Sequence, residues 1–359
     1  MTGRYACIRP EREDSARPAE RAAAAGRKRF RTTPNDGAMD ALDVGIIRAM
    51  GIRPYERVPK PLDVLQPARI ARVTGASMNT VKDRITRMTE GGIIAGYYAV
   101  PNLRHVGMRG EAYHFRFASD TAKDAALPHL LELEGLLEFH DFLGRGACAD
   151  FAFHDAGGMQ RNLAFLAEGS GDAQPRHFYS REMPRVDRAL TPLDWRILQA
   201  LRADPRALPA TLAPTIGVSA RTVKRHLERM AAEGSVFLVP IVDPSKADGL
   251  FLFELLIYLR EGSGPGPMAA LRAAFQAEHV YAYVPASAEL GHFDMLLFAR
   301  TTADVEALRR RAETVAGVVR AEAWLFRAFM GFPKWLDGSI ERAADVAKSD
   351  RAAWGTLVA

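Results

Sequence analysis

Apolar side chains recur along this chain at two periods, and the order in which those periods follow one another is written twice. In MDALDVGIIRAM the residues Leu42, Ile46, Ile47 and Met50 share one helical face, and in TPLDWRILQAL so do Leu193, Ile197, Leu198 and Leu201. Further on, Val81, Ile85 and Met88 stand at i, i+4, i+7, as do Val223, Leu227 and Met230, so each set makes one apolar stripe. Short β-rich runs follow, IIAGYYAV at Ile93–Val100 and VFLVPIV at Val236–Val242. Beyond each run, strand and helix patterns alternate. Residues 111–183 read EAYHFRF, a helix over Thr121–Glu134, LLEFHDFL, ACADFAFH, a helix over Gly158–Glu168, and RHFYSREM. Residues 250–330 read LFLFELLIYL, a helix over Pro267–Gln276, VYAYVPA, HFDMLLFA, a helix over Thr302–Ala316, and VRAEAWLFRAF. Both are β-α-β-β-α-β, the split ferredoxin-like arrangement. One face of such a sheet lies under its helices, and the other must find a partner or stay polar.

The repetition is tightest between Arg69–Gly92 and Thr211–Gly234. At a constant offset of 142, Ala71/Ala213, Gly75/Gly217, Ser77/Ser219, Thr80/Thr222, Val81/Val223, Lys82/Lys224, Arg87/Arg229, Met88/Met230 and Gly92/Gly234 are identical. Each copy predicts a helix, a turn at the glycine, and a second helix capped by the serine. With the preceding helix and a following strand pair, each copy predicts a winged helix-turn-helix. Basic and polar residues cover the second helix away from its apolar stripe, a face suited to phosphates and base edges. Lys82, Arg84, Arg87, Lys224, Arg225 and Arg229 are the expected phosphate contacts. Asn79 and Arg221, near the helix N-termini, are the expected base readers, since Asn suits adenine and Arg suits guanine. A solvated charged face on a plain helical hairpin is the alternative. Between the first helix and this motif, the first copy inserts Gly51–Pro67, whose four prolines predict a surface loop.

Composition narrows the partners without choosing one. A net charge of +5 is compatible with an anionic partner but small for 359 residues. Two cysteines, Cys7 and Cys148, make neither a disulfide framework nor a zinc site. No apolar run approaches bilayer length and the N-terminus lacks a signal-peptide core, so a cytoplasmic protein without a membrane partner is expected. Residues 1–38, with the basic run RKRFR, read as a disordered tail or as sequence upstream of a start at Met39. Residues 336–359 predict a polar-to-amphipathic helical tail.

A winged helix-turn-helix followed by a β-α-β-β-α-β unit resembles the Lrp/AsnC (feast/famine) transcription regulators. The resemblance rests on Leu42-Asp43 and Leu193-Asp194, on Gly-x-Ser-x-x-Thr-Val-Lys, on Arg87-Met88 and Arg229-Met230, and on Gly291-His292-Phe293-Asp294. It implies an α+β fold with boundaries at 39–102 and 187–245 for the winged helices, and 103–186 and 246–335 for the ferredoxin-like (RAM-type) units. Typical members carry one unit per chain and dimerise. This chain carries two, which implies an intramolecular pseudo-dimer on double-stranded DNA, with further homo-oligomerisation open. Asp83-Arg84 and Arg225-His226 stand where the family tends to have paired basic residues, which makes the second helix the better reader. The resemblance also implies a small-molecule, amino-acid-like effector near Gly146, Asp150, Gly291 and Asp294, against a structural alternative in which the glycines shape a hairpin that the aspartates cap. No cofactor is expected.

Six of nine histidines fall in the first sheet unit: His105, His114, His129, His140, His154 and His177. Strand alternation sets His114, Arg116, Asp150 and His154 on the free face, opposite Tyr113, Phe115, Phe117, Phe151 and Phe153. Polar residues at a domain interface, a ligand or metal pocket between sheets, and catalysis all remain open. Siroheme decarboxylases look like the same unit paired around a tetrapyrrole, so a lyase is the enzymatic alternative. The sequence offers no nucleophile–base pair and no metal-ligand spacing, and a non-enzyme is expected.

Overall fold

A computed structural model describes residues 38–51, 62–131, 133–170, 176–181, 183–263, 266–282, 291–331 and 336–346. The basic run near the N-terminus, most of the proline-rich insert and the last residues of the tail lie outside them. Two winged-helix heads each precede a βαββαβ unit, as the periodicities predict.

The first head comprises α1 (Ala41–Met50), α2 (Pro67–Thr74) and α3 (Met78–Glu90), and the second α6 (Pro192–Ala203), α7 (Pro209–Ile216) and α8 (Ala220–Ala232). Their starts are locally encoded. Asp40 with Asp43, and Thr191 with Asp194, form capping boxes, and Pro67, Pro192 and Pro209 sit in the first helical turn, where no N–H is needed. Gly75 and Gly217 end α2 and α7 at φ 73° and 74°, left-handed values that an L side chain rarely adopts. Ser77 and Ser219 then accept from the N–H of Thr80 and Thr222 and start the next helix. The predicted loop over Gly51–Pro67 is corrected at its end. Leu62–Leu65 is a 3-10 turn with Val64 and Leu65 buried, because the apolar pair outweighs the prolines around it.

The strand after each head does not form a wing hairpin within that head. β1 (Ile94–Pro101) pairs antiparallel with β6 (Val236–Val242), one strand from each head. The expected strand pair therefore exists, but between the copies. Val100, Val236 and Val239 of this ribbon belong to one continuous core with Ile46 and Ile47 of α1 and with Ile197 and Leu198 of α6. Residues 336–346 form α11, whose Leu336, Ile340 and Ala344 dock into the same core.

The first ferredoxin-like unit holds β2 (Arg109–Arg116), α4 (Asp120–Leu131), β3 (Leu136–Phe142), β4 (Gly146–Phe153), α5 (Ala156–Ser170) and β5 (Arg176–Arg181). The second holds β7 (Phe251–Leu259), α9 (Gly266–Ala274), β8 (His279–Ala282), β9 (His292–Ala299), α10 (Thr302–Glu313) and β10 (Val318–Gly331). All eight strands form one antiparallel sheet in the order β5-β2-β4-β3-β10-β7-β9-β8. The long β10 makes the join: Val318–Leu325 pairs with β7, and Phe326–Gly331 pairs with β3. Tyr113, Phe115, Phe117 and Phe151 pack with Leu127 and Leu130 of α4 and with Leu163 of α5, as alternation predicts. The opposite faces turn toward each other. His114 on β2 lies 3.7 Å from Glu254 on β7, although the two strands stand far apart in sheet order, so the sheet must fold over on itself. Ala112, Phe142 and Cys148 with Trp324 and Phe326 fill the layer between the faces. Among the described residues, no helix is long and apolar enough to cross a membrane.

Candidate nucleic-acid interface

Each second helix of a head presents two different basic sectors. Asn79 and Lys82 on α3, and Arg221, Lys224 and Arg225 on α8, point to solvent. Lys82, Arg221 and Arg225 have no ion-pair partner among the described residues, and Lys224 makes only an exposed i,i+4 pair with Glu228 at 3.7 Å. These five are available to a polyanion. Asp83 is exposed beside Lys82.

Arg84, Arg87 and Arg229 are corrections. Arg84 reaches Asp40 and Asp43, both at 2.9 Å, and only 11% of its side chain is exposed. Arg87 binds Asp43 at 2.6 Å, and Arg229 binds Asp194 at 2.5 Å and Glu233 at 3.1 Å. Asp43 and Asp194 are fully buried. Each accepts from the N-cap of its own helix and simultaneously anchors the third helix of its head, so these guanidiniums neutralise a buried carboxylate inside the head. His226 replaces Arg84 in the second head and meets Asp194 at 2.7 Å. Burial would raise the Asp194 pKa, but hydrogen bonds from Thr191, His226 and Arg229 more than offset it and hold it below the usual carboxylate range. The repeated Leu-Asp was the sequence signal for this anchor.

The ribbon relates the two heads. Tyr97 pairs with Pro240 and Tyr98 with Val239. At the repeat offset, Pro240 is the counterpart of Tyr98 and Val239 that of Tyr97, so the register is symmetric about a point between the two tyrosines. Each tyrosine also crosses to the other head: Arg202 stands 4.6 Å over Tyr98, and Arg206 4.9 Å over Tyr97. Arg202 further pairs with Asp337 of α11.

Gly146, Asp150, Gly291 and Asp294 line no common cavity among the described residues. Asp150 and Asp294 are each 1% exposed, packed within the inter-sheet layer or its margin, so a ligand would have to displace core side chains to reach them. Gly146 is required by a close approach, since a Cβ there would sit 2.9 Å from the Trp324 ring. It lines a cavity of about 270 Å³ with Arg116 and Arg145. Gly291 immediately precedes β9.

The histidines divide. His114, Cys148 and His140 form one cross-strand row on the inner face, and Ala112, Asp150 and Glu138 form the next. His140 Nδ1 meets Glu254 at 2.6 Å. Burial opposes charge on His140, yet Glu254 and Glu138 raise its pKa, and the same partnership lowers that of Glu254. Glu138, His140 and Asp150 bring ligand-type atoms within 4.8 Å of one another. Arg116 lies at the exposed edge, 2.6 Å from Glu322. His154 is corrected: it follows the end of β4, outside the inter-sheet layer, and is exposed.

His154 lines a larger cleft, of about 680 Å³. Its walls are the turn Leu103–Val106, the linker 186–192, the start of α6 and α11. Arg104, Arg188, Arg342, His105 and Trp195 face it. Desolvation pushes His105 down to about 4, with Asp194 and Arg229 close enough to act on it in opposite senses. Sequence reasoning missed this cleft because its residues come from four separated segments.

Residues 190–236 match a family described as winged helix-turn-helix DNA-binding, and so α6, α7 and α8 with the start of β6 form such a domain. A stretch of 75 residues is 32% identical to the HTH-type transcriptional regulator Ptr1 of Methanocaldococcus jannaschii, covering 21% of this chain and 51% of that protein. The chain thus spans about half the length of the curated relative it matches. Among solved structures, the siroheme decarboxylase NirDL aligns over 87% of this chain and 100% of its own, at 12% identity and a TM-score of 0.48. AsnC of E. coli aligns over 38% of this chain and 92% of its own, at 22% identity and a TM-score of 0.31. The leucine response regulatory protein LrpA of Mycobacterium tuberculosis aligns over 38% and 91%, at 25% identity and a TM-score of 0.31.

Proposed function

We propose that this chain is a DNA-binding transcription regulator of the Lrp/AsnC kind, in which one polypeptide supplies both reading heads. The observation that carries the reading is the symmetric β1–β6 register. A two-fold-like relation between two similar heads is how a dimeric regulator sets two helices on successive major-groove faces of a near-palindromic site. Here the relation is built within one chain. Because the heads differ, the preferred site is an imperfect palindrome, with Arg221, Lys224 and Arg225 on the stronger half and Asn79 and Lys82 on the weaker.

The enzymatic alternative places a tetrapyrrole between the sheets. Phe142, Cys148, Trp324 and Phe326 occupy that layer in the described residues, which favours the regulator. Capture of sheared genomic DNA at low salt tests the proposal. The wild-type chain should retain specific fragments, and a variant with Lys82, Arg221, Lys224 and Arg225 all changed to Ala should retain none. Equal retention by both, or none by the wild type, would overturn it.

A further inference from the structure

We infer that the cleft beneath α11 is an effector site for a small organic anion bearing two or more carboxylate or phosphate groups, and that its occupancy adjusts the second head. The inference rests on the regulator reading for its second half only.

The chemistry of the walls selects the ligand. Arg104 and Arg188 are exposed and have no ion-pair partner among the described residues. Among the described residues, Arg342 donates only to the Ser339 hydroxyl, at 3.0 Å. Three arginines from three separate segments thus line one space, and none of them is ion-paired to a carboxylate among the described residues. The one acid on the rim among the described residues, Asp187, is paired with Arg185 at 3.7 Å, both side chains 90% exposed. Surface arginines usually point apart or pair, whereas convergent planar forks match carboxylate and phosphate oxygens. Leu190 and Trp195 add an apolar wall for a hydrocarbon body. A volume of about 680 Å³ suits a metabolite-sized molecule.

The position of the cleft supplies the coupling. His105 lies on its wall with Nε2 buried and without a hydrogen-bond partner among the described residues. It is within electrostatic range of Asp194 and Arg229, the pair that anchors α8. Trp195, another wall residue, follows Asp194 directly in α6. The linker 186–192 is the covalent joint between the first sheet unit and the second head. A ligand that clamps this joint to α11 therefore acts on the mounting of α8, and a differential effect on binding is what allostery requires.

Calorimetry on the full chain at constant ionic strength, with citrate and with pyrophosphate as probes, tests the site and separates carboxylate from phosphate preference. Saturable binding of one probe per chain is expected, weakened at least tenfold in an Arg104→Gln/Arg342→Gln variant, as loss of charge-assisted bonds implies. The coupling is read by fluorescence anisotropy on a captured DNA fragment. Saturating probe should shift wild-type affinity at least fivefold, a typical coupling. The variant should bind DNA like the wild type without probe and show no shift with it. No saturable binding, or equal binding by the variant, would refute the site. Binding with no change in DNA affinity would refute the coupling. If the chain binds no DNA, the regulator reading fails, while calorimetry still decides the cleft.

Discussion

Asp43 and Asp194 show how one side chain can set both a helix start and the pose of a distant helix. Each sits third in its helix, returns a hydrogen bond to its N-cap, and holds an arginine 44 or 35 residues further along. Asp194→Ala removes that cap and leaves His226 without its acceptor and Arg229 with Glu233 alone, so a loss of about 2–4 kcal/mol is expected in urea unfolding. Lys224→Ala, on the exposed sector of the same helix, should stay within about 0.5 kcal/mol of wild type. The Leu-Asp motif was legible because it occurs twice, but its partners were not. At 100° per residue, Arg84 and Arg87 fall on the flank of α3 between its apolar stripe and its outer face. Periodicity gives that angle and leaves open which flank meets the first helix, so it does not separate the two from the outward Asn79 and Lys82. The cleft histidine carries a pH signature of its own. His105 is held neutral well below the ordinary value of about 6.5. The unfolded chain therefore binds the extra proton first, and stability should fall as pH drops from about 6.5 toward about 4. His105→Phe should remove that acid slope from a series of thermal midpoints. An unchanged slope would place the titrating group elsewhere.

At the scale of elements, alternation located nearly every strand, and both helix-turn-helix motifs were visible from their glycine and serine. Partners were a different matter. The runs after each head read as strands from their β-branched and aromatic residues, yet nothing in a period of two says whether a strand pairs within its head or with the other copy. The same limit hid the division of β10 between two neighbours. The ribbon register can be checked chemically. Ala99 and Leu238 face each other directly in an antiparallel pair, where Cα separations of about 4.5–5.5 Å suit a disulfide. An Ala99→Cys/Leu238→Cys variant should form an intramolecular crosslink on mild oxidation, seen as a mobility shift on a non-reducing gel. It should keep its DNA affinity when oxidised. A crosslink found only between chains would show that the ribbon joins two molecules.

At the largest scale, the described residues form two heads on one shared core and an eight-stranded sheet folded face to face. Its halves are joined covalently by the linker, by β10, and across the inner layer by His140 and Glu254. Because the His140 pKa is raised in the fold, the stability it confers is complete below about pH 6.5 and is lost as pH rises through the folded value. His140→Gln should therefore cost about 3 kcal/mol near pH 6, with the gap to wild type narrowing on the alkaline side. The central claim is that both heads touch the same DNA from one chain, and the salt dependence of affinity measures that directly. For a duplex recovered by genomic capture, the slope of log affinity against log salt should be steepest for the wild type. It should become shallower by about 0.9 for each phosphate contact removed, in Lys82→Ala at the first head and in Lys224→Ala/Arg225→Ala at the second. Slopes that change for one head alone, or for neither, would contradict it.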